Sequence, residues 1–296
     1  MARPLARLLT GFFIFALLLV VAALAFTLIQ PPPASSPLPS PNGYDDIIRA
    51  SGMLADKTSD FATLSEPALR ALMEKNADAL KLARTGLSRA CQAPLDFSHP
   101  NTSYYTNLSK CKALAQGFAA EGRLLELENR PADAADSYLT AIRLGIATSQ
   151  GGLLIDSLVG IAIEAIGTVR LEKLVPSLDA KQCLQAVALL ESCDSQREPM
   201  TAVLARERVW SRRVYGGLRY YAGRLTAFKT LRQMERGIVA RVNAQQTRER
   251  VLLIHLASRA YELDKGERPK TLSALVPGYL KAIPQDPTTG TALASP

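Results

Sequence analysis

The stretch Glu121-Gly-Arg-Leu-Leu-Glu-Leu-Glu-Asn129-Arg-Pro131-Ala-Asp-Ala-Ala-Asp-Ser-Tyr138-Leu-Thr-Ala-Ile-Arg-Leu144 decides the fold class. Proline cannot continue an incoming helix, so Tyr104 to Glu128 and Ala132 to Thr148 read as two helices joined by Asn129-Arg130-Pro131. Alanine and leucine recur through the rest of the chain, aromatic residues make up 6%, and few β-branched runs exist to build a sheet. The expected fold class is therefore all-α.

Working outward, Tyr44 to Phe61 is weakly helical, and Ser65-Glu66-Pro67 starts a helix that runs to about Ala90. Pro94 to Ser103 is loop. Downstream, Gly151 to Val175 is apolar around most of its circumference and reads as a central helix surrounded by others. Ala180 to Leu190 makes a short helix. From Glu198-Pro199 to Tyr261 the chain is long helix with a break at Gly216-Gly217, and Leu218, Tyr221, Leu225, Phe228 and Leu231 draw one apolar stripe.

Gly122, Ala134, Tyr138 and Ala141 fall at the spacing of the glycine, alanine, aromatic and alanine of a tetratricopeptide repeat, so the opening hairpin looks like one such unit. Shifting by that period places Asp156 and Thr168 where glycine and alanine are wanted, so the repeat does not recur. A single unit serves as a packing hairpin or as part of a partner-binding surface.

At the N-terminal end, Gly11 to Ile29 is an uncharged apolar run of about nineteen residues, long enough to cross a bilayer core. Arg3 and Arg7 precede it and the first acid is Asp45, which keeps the N-terminus in the cytoplasm and exports the remainder. The run reads as a signal anchor, with cleavage as a signal peptide at Ala23-Leu24-Ala25 as the competing reading. Pro31 to Pro41 is a proline-rich spacer that favours polyproline II. The resulting organisation is a stub and transmembrane helix over 1–30, a Pro-rich linker over 31–43, a multi-helix bundle over 44–263, and an irregular motif over 264–296 packed on it.

Four cysteines lie in this exported domain. Cys91 and Cys111 flank a loop with Pro94 and Pro100, and two antiparallel helices there can bring them within disulfide reach. Cys183 and Cys193 are ten residues apart, about 15 Å along one helix, so they pair only if that helix breaks. No CxxC knuckle supports a zinc site.

The net charge of +8 is concentrated between residues 200 and 250, where twelve Arg or Lys face three acids. Arg212, Arg213, Arg219, Arg224, Arg232 and Arg236 form the candidate polyanion surface. Trp210, Tyr215, Tyr220 and Tyr221 lie among them, but no nucleic-acid reader motif is present, and anionic lipid headgroups or another envelope polyanion fit an exported domain better. Asp156 and Glu164 lie two turns apart on nearly one helix face, a pairing that a general acid and base could use. No histidine ligand or nucleophile accompanies them, and His255 in Val251-Leu-Leu-Ile-His-Leu-Ala257 reads as an ordinary helix residue. There is no GxSxG, phosphate-cradling glycine loop, HExxH or dinucleotide fingerprint, so neither cofactor nor metal is expected.

Near the C-terminus, Tyr261, Gly266, Pro269, Leu272, Leu275 and the Asp286-Pro287-Thr-Thr-Gly290 turn resemble the C-terminal region of type II secretion pseudopilins. Gly266 should cap the long helix in the left-handed region, and Thr271 should start a turn carrying Leu272 and Leu275. Some pseudopilins bind calcium near this point, where Asp264, Glu267 and Asp286 are the available oxygen donors, although no regular calcium loop is present. The chain departs from that family at Phe26-Thr-Leu-Ile-Gln30, which ends the apolar run, lacks the acid and meets Pro31. Anchor, hairpin, apolar helix and ending together are similar to a group of bacterial single-span envelope proteins of unassigned function with an all-helical exported domain. That resemblance implies an inner-membrane protein with its domain on the periplasmic side. It is expected to be a non-enzymatic interaction or scaffold module, linked to secretion or surface assembly and serving a protein partner. The alternatives are an envelope-polymer hydrolase or lyase and a binder of anionic membrane surfaces.

Overall fold

The computed structural model describes residues 12–22, 25, 37–55, 61, 63–95 and 102–293. Of the apolar run at 11–29, only residues 12–22 and 25 fall within that set, and they are helical; its remaining residues, Pro31–Pro33 and His99 lie outside the described residues. Among the described residues, no helix is long and apolar enough to cross a membrane.

The described chain is all-helical. Its elements are α1 (Gly43–Met53), α2 (Glu66–Leu87), α3 (Thr102–Leu127), α4 (Pro131–Ser149), α5 (Leu154–Leu174), α6 (Ala180–Ser195), α7 (Met200–Tyr215), α8 (Gly217–Thr226) and α9 (Phe228–Lys265), with one-turn 3₁₀ helices at Val175–Ser177 and Leu272–Leu275. The starts follow local chemistry. Asn42 Oδ1 accepts from the Tyr44 N–H at 3.2 Å to open α1. Asp179 and Gln182 cap α6 reciprocally, at 2.8 and 3.0 Å.

The bundle is tightest where glycines let helices touch. α4 and α5 meet along Gly145, Gly160 and Gly167: a methyl group on Gly145 would lie 2.5 Å from the Gly160 carbonyl oxygen, and one on Gly167 would overlap the Tyr138 carbonyl. α3 and α4 form the hairpin expected from the sequence, with Gly122 flat against the Tyr138 ring. Tyr138 is fully buried and its hydroxyl donates to Glu126. α5 packs against α3, α4 and α9, the central position its apolar circumference requires.

The core has two large parts. One joins α3, α4, α5, α6 and α9 to the C-terminal segment, with Ile142, Leu171, Leu252, Ile254 and Leu256 wholly inside. The other joins α1, α2 and α3 around Ile47, Leu114 and Phe118. A smaller apolar contact between Leu154, Val203, Ile238 and Val242 roots α7 and α9 on α5.

Beyond that root the packing changes. No residue from 204 to 237 is buried, so the outer part of α7, all of α8 and the first turns of α9 form an arm outside the core. Gly216 breaks the chain in a positive-φ conformation, φ 79°, where the sequence placed the break, and a second break at Ala227 separates α8 from α9. At the other end of α9, Gly266 adopts the left-handed conformation, φ 76°, and its N–H donates to Glu262 O at 2.8 Å. Leu272 and Leu275 then return to the core. Asp286 Oδ1 accepts from the Thr288 and Thr289 N–H groups at 2.6 and 3.1 Å, closing the expected turn.

Candidate functional site

Asp156 and Glu164 both lie in the interior but in separate settings. Asp156 Oδ2 accepts from the Leu153 N–H at 2.5 Å at the start of α5. That places a carboxylate against otherwise unpartnered donors at the positive end of a helix, which is a stabilising position. Glu164, two turns on, faces Arg197 across 2.9 Å, and the same guanidinium pairs with Glu249 of α9. Gln245 Nε2 donates to Glu249 Oε1 at 2.8 Å and to Thr168 Oγ1 at 3.1 Å. Asp194 lies 3.6 Å from Arg197 and 2.9 Å from Arg250.

Burial dominates the electrostatics of this cluster. It pushes the Glu249 carboxyl up to about 8, with the neighbouring Glu164 charge acting in the same direction and Arg197 against it. Burial and the neighbouring Glu164 charge thus favour the protonated form of Glu249. The cavity beside Glu164 and Arg197 has a volume of about 30 Å³, room for about one water, and Asp156 does not line it. What the arrangement does physically is clamp α5, the α6–α7 junction and α9 together.

A second clasp holds the root of the arm. Arg206 Nη1 donates to Gly152 O at 2.7 Å and its guanidinium pairs with Glu198, while Glu207 Oε2 accepts the Leu154 N–H at 3.0 Å. Burial raises the Glu207 carboxyl above its ordinary value, and the bond from Leu154 opposes that. Sequence reasoning missed Arg197, Glu198 and Glu207 as organisers. Glu249 carried a readable signal, since it follows Val242 and Gln245 on the buried stripe that continues through Leu252 and Leu256.

The six arginines of the candidate polyanion surface all lie on the arm. Arg213, Arg219, Arg232 and Arg236 are exposed, and Arg212 and Arg224 are half-buried. Arg224 reaches Glu235 at 3.5 Å and lies 5.7 Å above the Tyr220 ring, while Arg232 lies 5.8 Å above Phe228. Arg212, Arg219, Lys229, Arg232 and Arg236 have no ion pair among the described residues. Beside them Leu218 is 74% exposed and Leu225 83%. Arg212, Tyr221, Arg224, Leu225 and Phe228 line an open groove of about 570 Å³. Trp210 and Tyr215 stack edge to face, 6.0 Å apart.

The four cysteines carry free thiols, so the bridge expected between Cys91 and Cys111 is not formed. Cys111 is wholly enclosed in the core around Ile47 and Phe118, and burial pushes its thiol up to about 12. Cys91 sits at the edge of that core and borders a cavity of about 300 Å³ that also holds Cys193 and Arg143. Cys183 and Cys193 share the unbroken helix α6, as their spacing demands for an unpaired state. His255 is exposed on α9. Asp264 accepts from the Tyr279 hydroxyl at 2.5 Å and Asp286 is engaged in its own turn. No group of three or more His, Cys, Asp or Glu residues suited to a metal ion occurs among the described residues.

Compared with known proteins, the chain matches no family model, no curated protein and no solved structure.

Proposed function

We propose that this chain is a non-enzymatic interaction module, held at the periplasmic face of a bacterial inner membrane by the apolar run at 11–29, and that the basic arm is its working surface. One observation carries the proposal: thirty-four consecutive residues, 204 to 237, contribute no buried side chain while presenting the densest positive charge in the chain. Helices that add little to a core exist at a cost in chain entropy, and exposed leucine and phenylalanine add a solubility cost. Both are explained if the arm contacts something else.

The interior supports the same reading. Arg197 pairs with both Glu164 and Glu249 and so holds three helices, beside a void the size of a water molecule. The α3–α4 hairpin, with its likeness to one tetratricopeptide unit, packs inward through Tyr138 and acts as framework. The likeness of the anchor and ending to single-span envelope proteins is the support for the compartment. Secretion or surface assembly is the process class that the C-terminal likeness suggests.

The test places a photo-crosslinking amino acid at Leu218 or Leu225 in the full chain, with the exposed Glu74 of α2 as the control. Crosslinks concentrated at the arm positions support the reading. Equal yields at all three positions would refute it.

A further inference from the structure

We infer that the occupant of the arm is an anionic lipid surface, with the helices lying in the headgroup region of a bilayer. This rests on the reading of the arm as the working surface and names its partner class. Charge complementarity is the first argument. Arg219, Lys229, Arg232 and Arg236 have no acidic partner among the described residues, so their charge is available to an external anion. A chain with net charge +8 also repels a second copy of itself.

The apolar side chains narrow the class. A polyanion in water, whether nucleic acid or a charged polymer, needs only the cations. It leaves Leu218, at 74% exposure, and Leu225, at 83%, without a role. A bilayer interface uses both features at once, because arginines meet phosphate while leucine and phenylalanine enter the acyl boundary. Trp210, Tyr215, Tyr220 and Tyr221 have the amphipathic rings that partition to that depth. Geometry permits it. Leu225 and Phe228 border the same groove as Arg212 and Arg224, so apolar and basic groups face one opening. The linker at 31–43, read from the sequence as extended at about 3.1 Å per residue, lets the domain stand within about 40 Å of the bilayer that holds its anchor.

Trp210 is the only tryptophan, which makes it a single reporter. The full chain is reconstituted into vesicles of phosphatidylcholine, with or without one-third phosphatidylglycerol, carrying bromine on the acyl chains. Quenching of Trp210 and amide exchange over residues 212–236 are both measured. The expected result is quenching and slowed exchange only with phosphatidylglycerol, both reversed by high salt. Removing three cations in Arg219→Gln/Arg232→Gln/Arg236→Gln should lower the bound fraction's equilibrium constant on the order of a hundredfold, from about fivefold per arginine. Leu218→Asp/Leu225→Asp should abolish the quenching with circular dichroism unchanged. Quenching that ignores phosphatidylglycerol and both variants, or no quenching at all, overturns the lipid assignment. Absent quenching with arm-specific crosslinks to a protein leaves the arm as the working surface with a protein occupant, whereas absent quenching with uniform crosslinks removes both conclusions.

Discussion

Replacing Arg197 by methionine removes the cation shared by Glu164 and Glu249, whose exposures are 1% and 7%. At 2.9 Å and an effective dielectric of about 20, the Glu164 contact alone represents about 6 kcal/mol of gross attraction. Desolvation of the buried charges offsets much of that. Breaking a buried pair by removing one partner nonetheless costs about 3–5 kcal/mol, because the remaining charge stays enclosed. A domain stable by about 5–15 kcal/mol would lose a large part of its margin. The sign of the pH dependence follows from the Glu249 carboxyl, which burial already holds above its ordinary value and which loses the opposing Arg197 charge. The folded state holds protons that the unfolded chain releases above about pH 4.5, so the deficit is small in acid and grows as pH rises toward 8. Urea unfolding of the full chain in detergent, followed by circular dichroism at pH 4.5 and 7.5, measures it. The triple variant Glu164→Gln/Arg197→Met/Glu249→Gln, which buries no charge there, should recover most of the loss. A deficit for Arg197→Met below about 1 kcal/mol, or one equal at both pH values, would refute the account of the cluster as a clamp.

Three further outcomes are expected. In the unaltered chain, the Glu249 carboxyl is raised from its ordinary 4.5 to about 8, so the folded state binds more protons than the unfolded one in that window. Stability should therefore be fully present below about pH 4.5 and fall as pH rises toward 8; Glu249→Gln should flatten that fall in urea titrations at pH 5 and 8. Gly167→Ala forces a methyl group onto the Tyr138 carbonyl and should lower stability by about 1–3 kcal/mol, read as a drop in Tm, whereas Gly237→Ala, which meets no atom within 4 Å, should not. Alkylation with iodoacetamide at pH 7.5 should modify Cys91 slowly, since burial pushes its thiol up to about 11, and leave Cys111 untouched until denaturant is added.

Helix identity was legible in the chain because its punctuation is strong. Pro67, Asn129-Arg130-Pro131, Gly216 and Gly266 each fall at an observed start, turn or end. Periodicity identified the central place of α5 for the same reason. The missed features are those that depend on partners far apart in sequence. Glu164 meets Arg197 and Glu249 from two other helices, and no local pattern encodes which carboxylate a guanidinium will reach. The loop with Pro94 and Pro100 suggests antiparallel helices that bring Cys91 to Cys111, yet Cys91 borders a cavity with Cys193 while Cys111 is enclosed in the core. The break at Ala227 lacked any glycine or proline to announce it. The arm itself was half legible: its charge and apolar stripe were visible, but a stripe at helical spacing normally faces a core, and only tertiary packing reveals that Leu218 and Leu225 face outward.

Two helices, α7 and α9, join the arm to the body. α9 spans 38 residues, about 57 Å at 1.5 Å per residue; its first ten lie in the arm and the rest carry Ile238, Val242, Leu252 and Leu256 into the core. The buried clamp sits on its third and fourth turns within the body, through Gln245 and Glu249, and the Arg206 and Glu207 clasp holds α7 at the root of the arm. A contact made at Phe228 is therefore not isolated by a hinge at the body surface. It is carried by a continuous backbone hydrogen-bond ladder to the point where α5, α6 and α9 are tied by charge. Mutations at Arg197 should consequently loosen the orientation of the arm as well as the core, and vesicle binding by Arg197→Met should weaken at neutral pH even though its arm sequence is intact. Unchanged binding in that variant would show that the arm works independently of the clamp.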